Sequence, residues 1–143
     1  MGLHRLVYVS QARPSLGYAD LFDIMEKSER NNKPAGLTGL LCFGDGWFLQ
    51  ALEGHRLAIS QTYNRIVGDT RHLNAELLEF SPIAQRDFLD WSMKAIQVGQ
   101  EKQEREIILR HSVNDMFTPV AMDAGQCLAL MKELAAFHQR RGV

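Results

Sequence analysis

The sequence contains few of the cysteine and proline residues that stabilise or stiffen chains without a large hydrophobic core. Only two of its 143 residues are cysteine and four are proline, which excludes a disulfide scaffold and a proline-rich chain. Its 16 lysine and arginine residues nearly balance 17 aspartate and glutamate residues, and the net charge of −1 predicts no binding to nucleic acid or anionic lipid. No apolar run suits a signal peptide or a membrane span. We therefore expect a cytoplasmic protein that acts away from membranes.

The motifs of common enzyme classes are also absent. The chain has no glycine-rich dinucleotide fingerprint, phosphate-binding loop, nucleophile elbow or His-Glu metalloprotease helix. Its five histidines are scattered, and Cys42 and Cys127 lie in separate apolar segments. That spacing is typical of reduced packing thiols rather than of metal ligands. The sequence therefore predicts neither a metal site nor an enzyme.

What is present is the composition of a globular domain, with 45% apolar and 23% charged residues. A chain of this length buries about two thirds of the surface that its unfolded state exposes. Apolar periodicity and turn residues predict seven elements in the first part of the chain. They are a strand over 3–10, a helix capped by Asp20, strands over 36–43 and 47–52, a helix over 57–67, and strands over 76–80 and 91–98.

This β-α-β-β-α-β-β order favours an α+β, ferredoxin-like fold, because two right-handed crossovers place the first and third strands side by side in the sheet. After Gly99 the composition becomes that of a charged helix start, and Asp123 with Gln126 resembles a capping box for a further helix. We therefore expect a sheet domain over 1–98 and a C-terminal two-helix extension over 99–143.

Two polar side chains interrupt the predicted central strands, Tyr8 in the first and Gln50 in the third. Each buried polar group left unpaired costs about 1 to 3 kcal/mol, so each of the two needs a partner and can serve the other. A phenol and a carboxamide can form two alternative hydrogen-bond patterns, because the carboxamide both donates and accepts. The pair fits either a switch or an ordinary core tyrosine with a glutamine at a sheet edge.

Other polar groups also allow two interpretations. Asn31 and Asn32 fit the end of a helix, but adjacent carboxamides could equally bind a planar heterocycle rich in carbonyl groups. Arg65 and Arg71 are typical of a solvated helix end, although either could bind a phosphate. The segment 91–93, Trp-Ser-Met, is typical of core packing.

Six segments in chain order together resemble the BLUF family, blue-light sensors that use FAD, from residue 3 to about 98. With a short helical tail and no attached output enzyme, the chain is similar to the stand-alone cyanobacterial PixD type. The segments are Leu6-Val-Tyr8-Val-Ser10, Asn31-Asn32, Gly36-Leu-Thr-Gly-Leu-Leu, Phe48-Leu-Gln50-Ala-Leu-Glu-Gly54, Asp69-Thr-Arg-His72 and Phe88-Leu-Asp-Trp91-Ser-Met93.

The resemblance implies a role for individual residues. Tyr8 would be the photoactive tyrosine and Gln50 the switching glutamine, while Asn32 would hold the polar edge of the flavin ring. Trp91 and Met93, on the last strand, would exchange places around the flavin pocket and pass the signal on. The remaining implied flavin contacts are Asn31 at the polar edge, Ile24 and Ile66 on the ring faces, and Arg65 and Asp69 at the ring edge.

The resemblance also implies a mechanism. Light makes the non-covalently bound flavin an oxidant, Tyr8 gives it an electron and a proton, and both return after Gln50 has rotated or changed tautomer. Absorption would shift reversibly to the red. FAD is the expected cofactor, and FMN or riboflavin would fit the same motifs. The last strand would then move against the C-terminal helices, whose stripe from Cys127 to Phe137 would contact a second copy or a response-regulator-like partner.

Two alternatives from other classes stay open. A small hydrolase resembling acylphosphatases would need Arg13 and either Asn31 or Asn32 to converge on a phosphate. An interaction module without any ligand would need none of these residues. Yellow colour with a flavin spectrum that shifts under blue light would support the sensor, turnover of a phosphate ester would support the hydrolase, and neither result would support the module.

Overall fold

A computed structural model of the protein describes residues 2–141. No helix within these residues has the length and apolar character needed to cross a membrane. The strands are β1 (Leu3–Ala12), β2 (Thr38–Gly44), β3 (Trp47–His55), β4 (His72–Ile83) and β5 (Lys94–Gln97). The helices are α1 (Tyr18–Asn32), α2 (Arg56–Val67), α3 (Lys102–His111) and α4 (Ala124–Arg140), with a 3-10 turn at Pro119–Ala121.

The five strands form one sheet in the order β4-β1-β3-β2-β5. All neighbouring pairs are antiparallel except β2 and β5, which are parallel. This arrangement confirms the predicted ferredoxin-like α+β fold, with β1 and β3 as neighbours. The register places Tyr8 directly opposite Gln50, so their side chains project from the same face of the sheet.

Local sequence signals account for several element boundaries. The hairpin between β2 and β3 turns at Asp45 and Gly46, whose φ angles of 50° and 84° are positive, as a tight two-residue turn requires. Asp123 caps α4 as predicted, since its carboxylate accepts a hydrogen bond from the Gln126 N–H at 2.8 Å. The prediction that Asp20 caps α1 was wrong. The cap is Gly17, and Asp20 occupies the third helical position, from which its carboxylate accepts the Gly17 N–H.

Two strand predictions need correction. The last strand is shorter than expected, so Trp91 and Met93 precede β5 in a loop instead of lying on it. β5 is an edge strand that pairs only with four residues of β2, and this limits its length. Conversely, β4 continues through Pro82, because an edge strand tolerates a residue without an N–H. Two register shifts against β1 disturb its alternation and obscured its full length in the sequence.

Each face of the sheet has its own core. Leu6 and Tyr8 point toward α1 and α2, whereas Val7 points toward α3 and α4, as the period of a strand requires. Cys42 and Cys127 are both buried free thiols in the core beneath α3 and α4, which confirms their assignment as packing residues. The C-terminal helices thus share one core with the sheet, and the domain boundary near residue 99 stays a prediction.

Candidate functional site: a cleft between α1, α2 and the sheet

A cleft of about 200 Å³ opens between α1, α2 and the face of the sheet that carries Tyr8. Its wall brings together all eight residues that the sequence nominated for flavin binding, from β1, β3, both helices and the loop after α2. These residues are Tyr8, Ile24, Asn31, Asn32, Gln50, Arg65, Ile66 and Asp69. The wall also contains residues not nominated for it, namely Lys27, Ser28, Leu41, Phe48, Thr62, Arg71 and His72.

Tyr8 and Gln50 form the polar centre of the cleft floor. The Tyr8 hydroxyl donates a hydrogen bond to Gln50 Oε1 at 2.6 Å, and both side chains are only 3% exposed. Burial raises the pKa of Tyr8, and the charges of Tyr63 and Asp69 add to the effect, because a phenolate would lose its hydration there. Tyr8 is therefore neutral and able to donate at any pH near neutrality.

Met93 completes a chain of three side chains. The Gln50 amide nitrogen Nε2 donates to Met93 Sδ at 3.4 Å, and Met93 is 5% exposed. A thioether is a weak acceptor, whereas a neutral phenol is a good donor. One strong and one weak hydrogen bond thus hold the Gln50 carboxamide, so exchanging its two ends is chemically accessible if the hydroxyl of Tyr8 changes role.

Asn32 is the unsatisfied polar group of the cleft. It is the last residue of α1 and is 2% exposed, yet its amide nitrogen Nδ2 has no hydrogen-bond partner among residues 2–141. Leaving such a donor unpaired costs about 1 to 3 kcal/mol. A flavin ring fits this requirement, since it presents carbonyl acceptors along one edge and apolar faces that suit the Ile24 and Ile66 walls.

The mouth of the cleft is charged. The Arg71 guanidinium donates to Asp69 Oδ2 at 2.7 Å and to Asp23 Oδ2 at 2.8 Å. These bonds hold the pKa of both carboxyl groups below the usual range. Arg65, in contrast, makes only a long contact of 3.4 Å to the Thr62 hydroxyl and no salt bridge within the described chain. Arg65 is thus the more available cation for an anionic group at the mouth.

His72 joins the two sides of the cleft, a role the sequence did not suggest. Its Nδ1 lies 2.7 Å from the Ser10 hydroxyl and its Nε2 lies 2.7 Å from the Ile66 carbonyl oxygen. Because a carbonyl oxygen only accepts, Nε2 must carry a proton. Phe48 and Leu41 were also missed, although their positions signalled them. Phe48 precedes Gln50 by two residues and Leu41 pairs with Gln50 across the sheet, so all three share one face.

Two sequence-nominated residues lie away from the cleft. Trp91 packs against the core on the opposite face of the sheet and lines a separate groove with Lys132 and Ala135 of α4. Arg13 bonds to the carbonyl oxygen of Thr70 and is not part of the cleft wall. The structure therefore brings Met93, but not Trp91, to Gln50, and it does not bring Arg13 to the cleft that Asn31 and Asn32 line.

A family comparison agrees with this geometry. The family described as "BLUF: Sensors of blue-light using FAD" matches residues 3–94, a stretch that includes every element of the cleft. The chain belongs to the BLUF family of blue-light, flavin-using sensors.

Individual relatives extend the comparison. A photoactivated adenylate cyclase subunit beta from Euglena longa is 34% identical over 92 residues, or 64% of this chain. The chain spans only 11% of the length of that relative. A structure described as "BlsA photo-activated state" is 28% identical with a TM-score of 0.83, covering 92% of this chain and 94% of that one. The dark state of BlrB, a BLUF protein, is 27% identical with a TM-score of 0.76, covering 96% and 97%.

Proposed function

We propose that the protein is a blue-light sensor in which Tyr8 and Gln50 form the light-driven switch beside a flavin bound non-covalently in the cleft. The observation that carries this proposal is the buried 2.6 Å hydrogen bond between the two side chains on the floor of a cleft. Asn32, whose amide lacks a partner, gives a second reason to place a carbonyl-bearing ring there. Family membership favours this function over an acylphosphatase-like hydrolase and over a ligand-free module.

The proposed contacts follow the residues of the wall. Asn32, with Asn31 beside it, donates to the polar edge of the ring, and Ile24 and Ile66 pack on its faces. Arg65 and Asp69 lie at the edge of the ring. We propose FAD as the cofactor, because the family description names it and because Arg65 at the mouth suits a phosphate.

A bound flavin excited by blue light supplies a strong one-electron oxidant. The buried Tyr8 hydroxyl would give one electron and its proton to the flavin and would recover both before the cycle ends, so nothing is consumed. While Tyr8 lacks its proton, Gln50 would be free to rotate or change tautomer, since the other hydrogen bond of its side chain within residues 2–141 is the weak one to Met93. The rearranged carboxamide would then offer a different hydrogen bond to the flavin, and the absorption would shift to the red.

The proposed output is mechanical. Loss of the bond from Gln50 to Met93 frees the segment before β5, and Trp91 in that segment lines a groove with α4. The expectation that the stripe from Cys127 to Phe137 contacts a partner was wrong, because these side chains are buried in the core behind the sheet. A movement of the segment before β5 would instead reach a second copy or a response-regulator-like partner through the exposed side of α4. We propose a PixD-like sensor that acts in the cytoplasm and whose output is such a contact rather than an enzymatic reaction.

Replacing Tyr8 by Phe tests the switch. The Tyr8→Phe variant lacks the hydroxyl proton and should bind flavin yet lose the reversible red shift, as measured by absorption before, during and after blue illumination. Tyr63→Phe is a matched control, because the Tyr63 ring lies beside that of Tyr8, with the ring centroids 5.4 Å apart, and makes no hydrogen bond to Gln50 within residues 2–141, so this variant should keep the shift. A flavin-loaded Tyr8→Phe variant with the full shift would contradict the assigned role.

A further inference from the structure

Glu53 is a buried charged residue that the switch does not use. It lies on β3, three residues after Gln50, and is 0% exposed. Strand alternation directs it to the opposite face of the sheet from Gln50, where it pairs in register with Arg5. Burying a carboxylate this completely costs free energy unless hydrogen bonds replace its hydration. Glu53 therefore needs hydrogen-bond donors around it.

Those partners are the backbone of the loop that follows β4. Glu53 Oε2 accepts the Asp87 N–H at 2.6 Å and Oε1 accepts the Phe88 N–H at 3.1 Å. The Thr38 hydroxyl donates to Oε1 at 2.8 Å. Arg86 closes the cluster, since its Nη1 donates to the Thr38 hydroxyl at 2.9 Å and to the Glu53 carbonyl oxygen at 3.2 Å. The start of the loop is therefore bonded to β3 through charge-assisted hydrogen bonds, which are stronger than neutral ones.

The other end of the loop is held against β2. The Gly39 N–H donates to the Trp91 carbonyl oxygen at 3.1 Å. A Cβ added at Gly39 would lie 3.0 Å from Met93 Cε and 2.1 Å from the Ala51 carbonyl oxygen, so the backbone of Gly39 approaches its neighbours closely. Trp91, at this second attachment, packs on one face of the sheet, and Met93, two residues later, packs on the other face.

We propose that Glu53 is a positioning residue for the light switch. Its carboxylate fixes the start of the loop, and thereby keeps Met93 against Gln50 and Trp91 in the groove beside α4 while the protein is in the dark. The inference rests on the proposed function, because it assigns Glu53 to the element that transmits the switch. An amide cannot replace the carboxylate here, since in either orientation its NH₂ group would face a backbone N–H, that of Asp87 or that of Phe88.

Fluorescence of Trp91 measures this directly. The chain has two tryptophans, so a Trp47→Phe background leaves Trp91 as the only reporter. In that background Glu53→Gln should still bind flavin, because Glu53 is not part of the cleft wall. It should increase acrylamide quenching of Trp91 in the dark by about twofold to fivefold, as the loop loses a charge-assisted bond. The additional change in quenching on illumination should shrink accordingly.

Glu104→Gln is the matched control. Glu104 is 1% exposed and also accepts two backbone N–H groups, those of Gln100 and Glu101. Within residues 2–141 it makes no hydrogen bond to the loop after β4, so Glu104→Gln should lower stability without changing the quenching of Trp91 in the dark. A general loss of stability is thereby separated from a loss of positioning.

Two further readouts keep the outcomes distinct. If Glu53→Gln does not fold, Thr38→Val removes the hydroxyl between Glu53 and Arg86 and should increase dark quenching in the same direction, by about twofold. The positioning role is overturned if Trp91 is quenched no more in the folded Glu53→Gln or Thr38→Val variant than in the Trp47→Phe parent. If the Trp47→Phe parent shows no red shift, the proposed function is overturned. The positioning role of Glu53 is still tested in that case, because the dark quenching of Trp91 in Glu53→Gln can be compared with that in Glu104→Gln.

Discussion

The two helical layers that cover the sheet are packed very differently. Among the 15 residues of α1 only Asn32 is buried, and α2 buries only Ile59 and Thr62. In α4, six residues are buried, including Leu134 and Phe137. The layer that forms the cleft therefore buries few of its side chains against the rest of the protein, whereas the layer behind the sheet is a closed core.

This difference suits a small switch. Gln50 lies on β3 between Leu49 and Ala51, which are both 0% exposed and face the closed core. The strand is thus held rigidly from behind, while the side chain of Gln50 faces a cleft with room for a ligand. A site keeps its geometry when the surrounding packing fixes its backbone, so a change of hydrogen bonds in the cleft alters contacts rather than the strand itself.

The largest expected effect tests the packing of the two layers. Leu134→Ala, in the closed core, should lower the free energy of unfolding by about 2 to 5 kcal/mol, because a cavity replaces a fully buried side chain. Ile24→Ala, on half-buried α1, should cost less than about 1 kcal/mol in the flavin-free protein but weaken flavin binding. Urea unfolding and flavin titration measure the two effects. Equal losses of stability would show that the layers are packed alike.

A second prediction concerns the ligand itself. Because the inward residues of α1, such as Ile24 and Asn32, line the cleft, a bound flavin should stabilise α1 more than α4. At a flavin concentration of about 100 times Kd, amide exchange in α1 should slow by up to about 100-fold. Amides of α4 that exchange by local opening that leaves the cleft intact should change much less, and hydrogen exchange with and without flavin compares the two helices under conditions where global unfolding does not limit exchange. Equal protection of α1 and α4 would contradict the difference between the two helical layers.

The smallest expected effect is on the free energy of unfolding, when one ion pair on each side of the sheet is removed. Arg105 and the Phe117 N–H bond to Asp45, behind the sheet, whereas Arg71 bonds to Asp23 at the cleft. The Asp45 side chain is 16% exposed and that of Asp23 is 46% exposed. Asp45→Asn should therefore cost about 1 to 2 kcal/mol at neutral pH, and Asp23→Asn should cost less.

The pH dependence of Asp45→Asn sharpens this prediction. The bond from Arg105 holds the pKa of Asp45 below its usual value of 3.8, so its contribution is complete above about pH 4 and is lost as the pH falls through the lowered pKa. The difference in urea midpoint between wild type and variant should thus shrink from pH 7 to pH 3. A constant difference would mean that the carboxylate charge contributes nothing. Asn tolerates the positive φ of residue 45, so the turn itself should be unaffected.

Much of the fold and part of the site could be predicted from local patterns. The β-α-β-β-α-β-β order with right-handed crossovers was sufficient to place Tyr8 and Gln50 on neighbouring strands, and their polar character within apolar strands suggested that they pair. Predictions failed where local signals were weak or interrupted. The loop before β5 resembled a strand because it is apolar, and β4 was underestimated because two register shifts break its alternation.

The sequence by itself determined which face of β1 and β3 each side chain occupies, because strand alternation and hairpin register are local properties of the chain. Only the tertiary structure decided that the Asn32 amide lacks a partner and that Glu53 holds the loop carrying Trp91 and Met93. Glu53 and Asp87 are 34 residues apart in the chain, and no local period specifies such a contact. It forms only when the sheet, the loop and the closed core pack together.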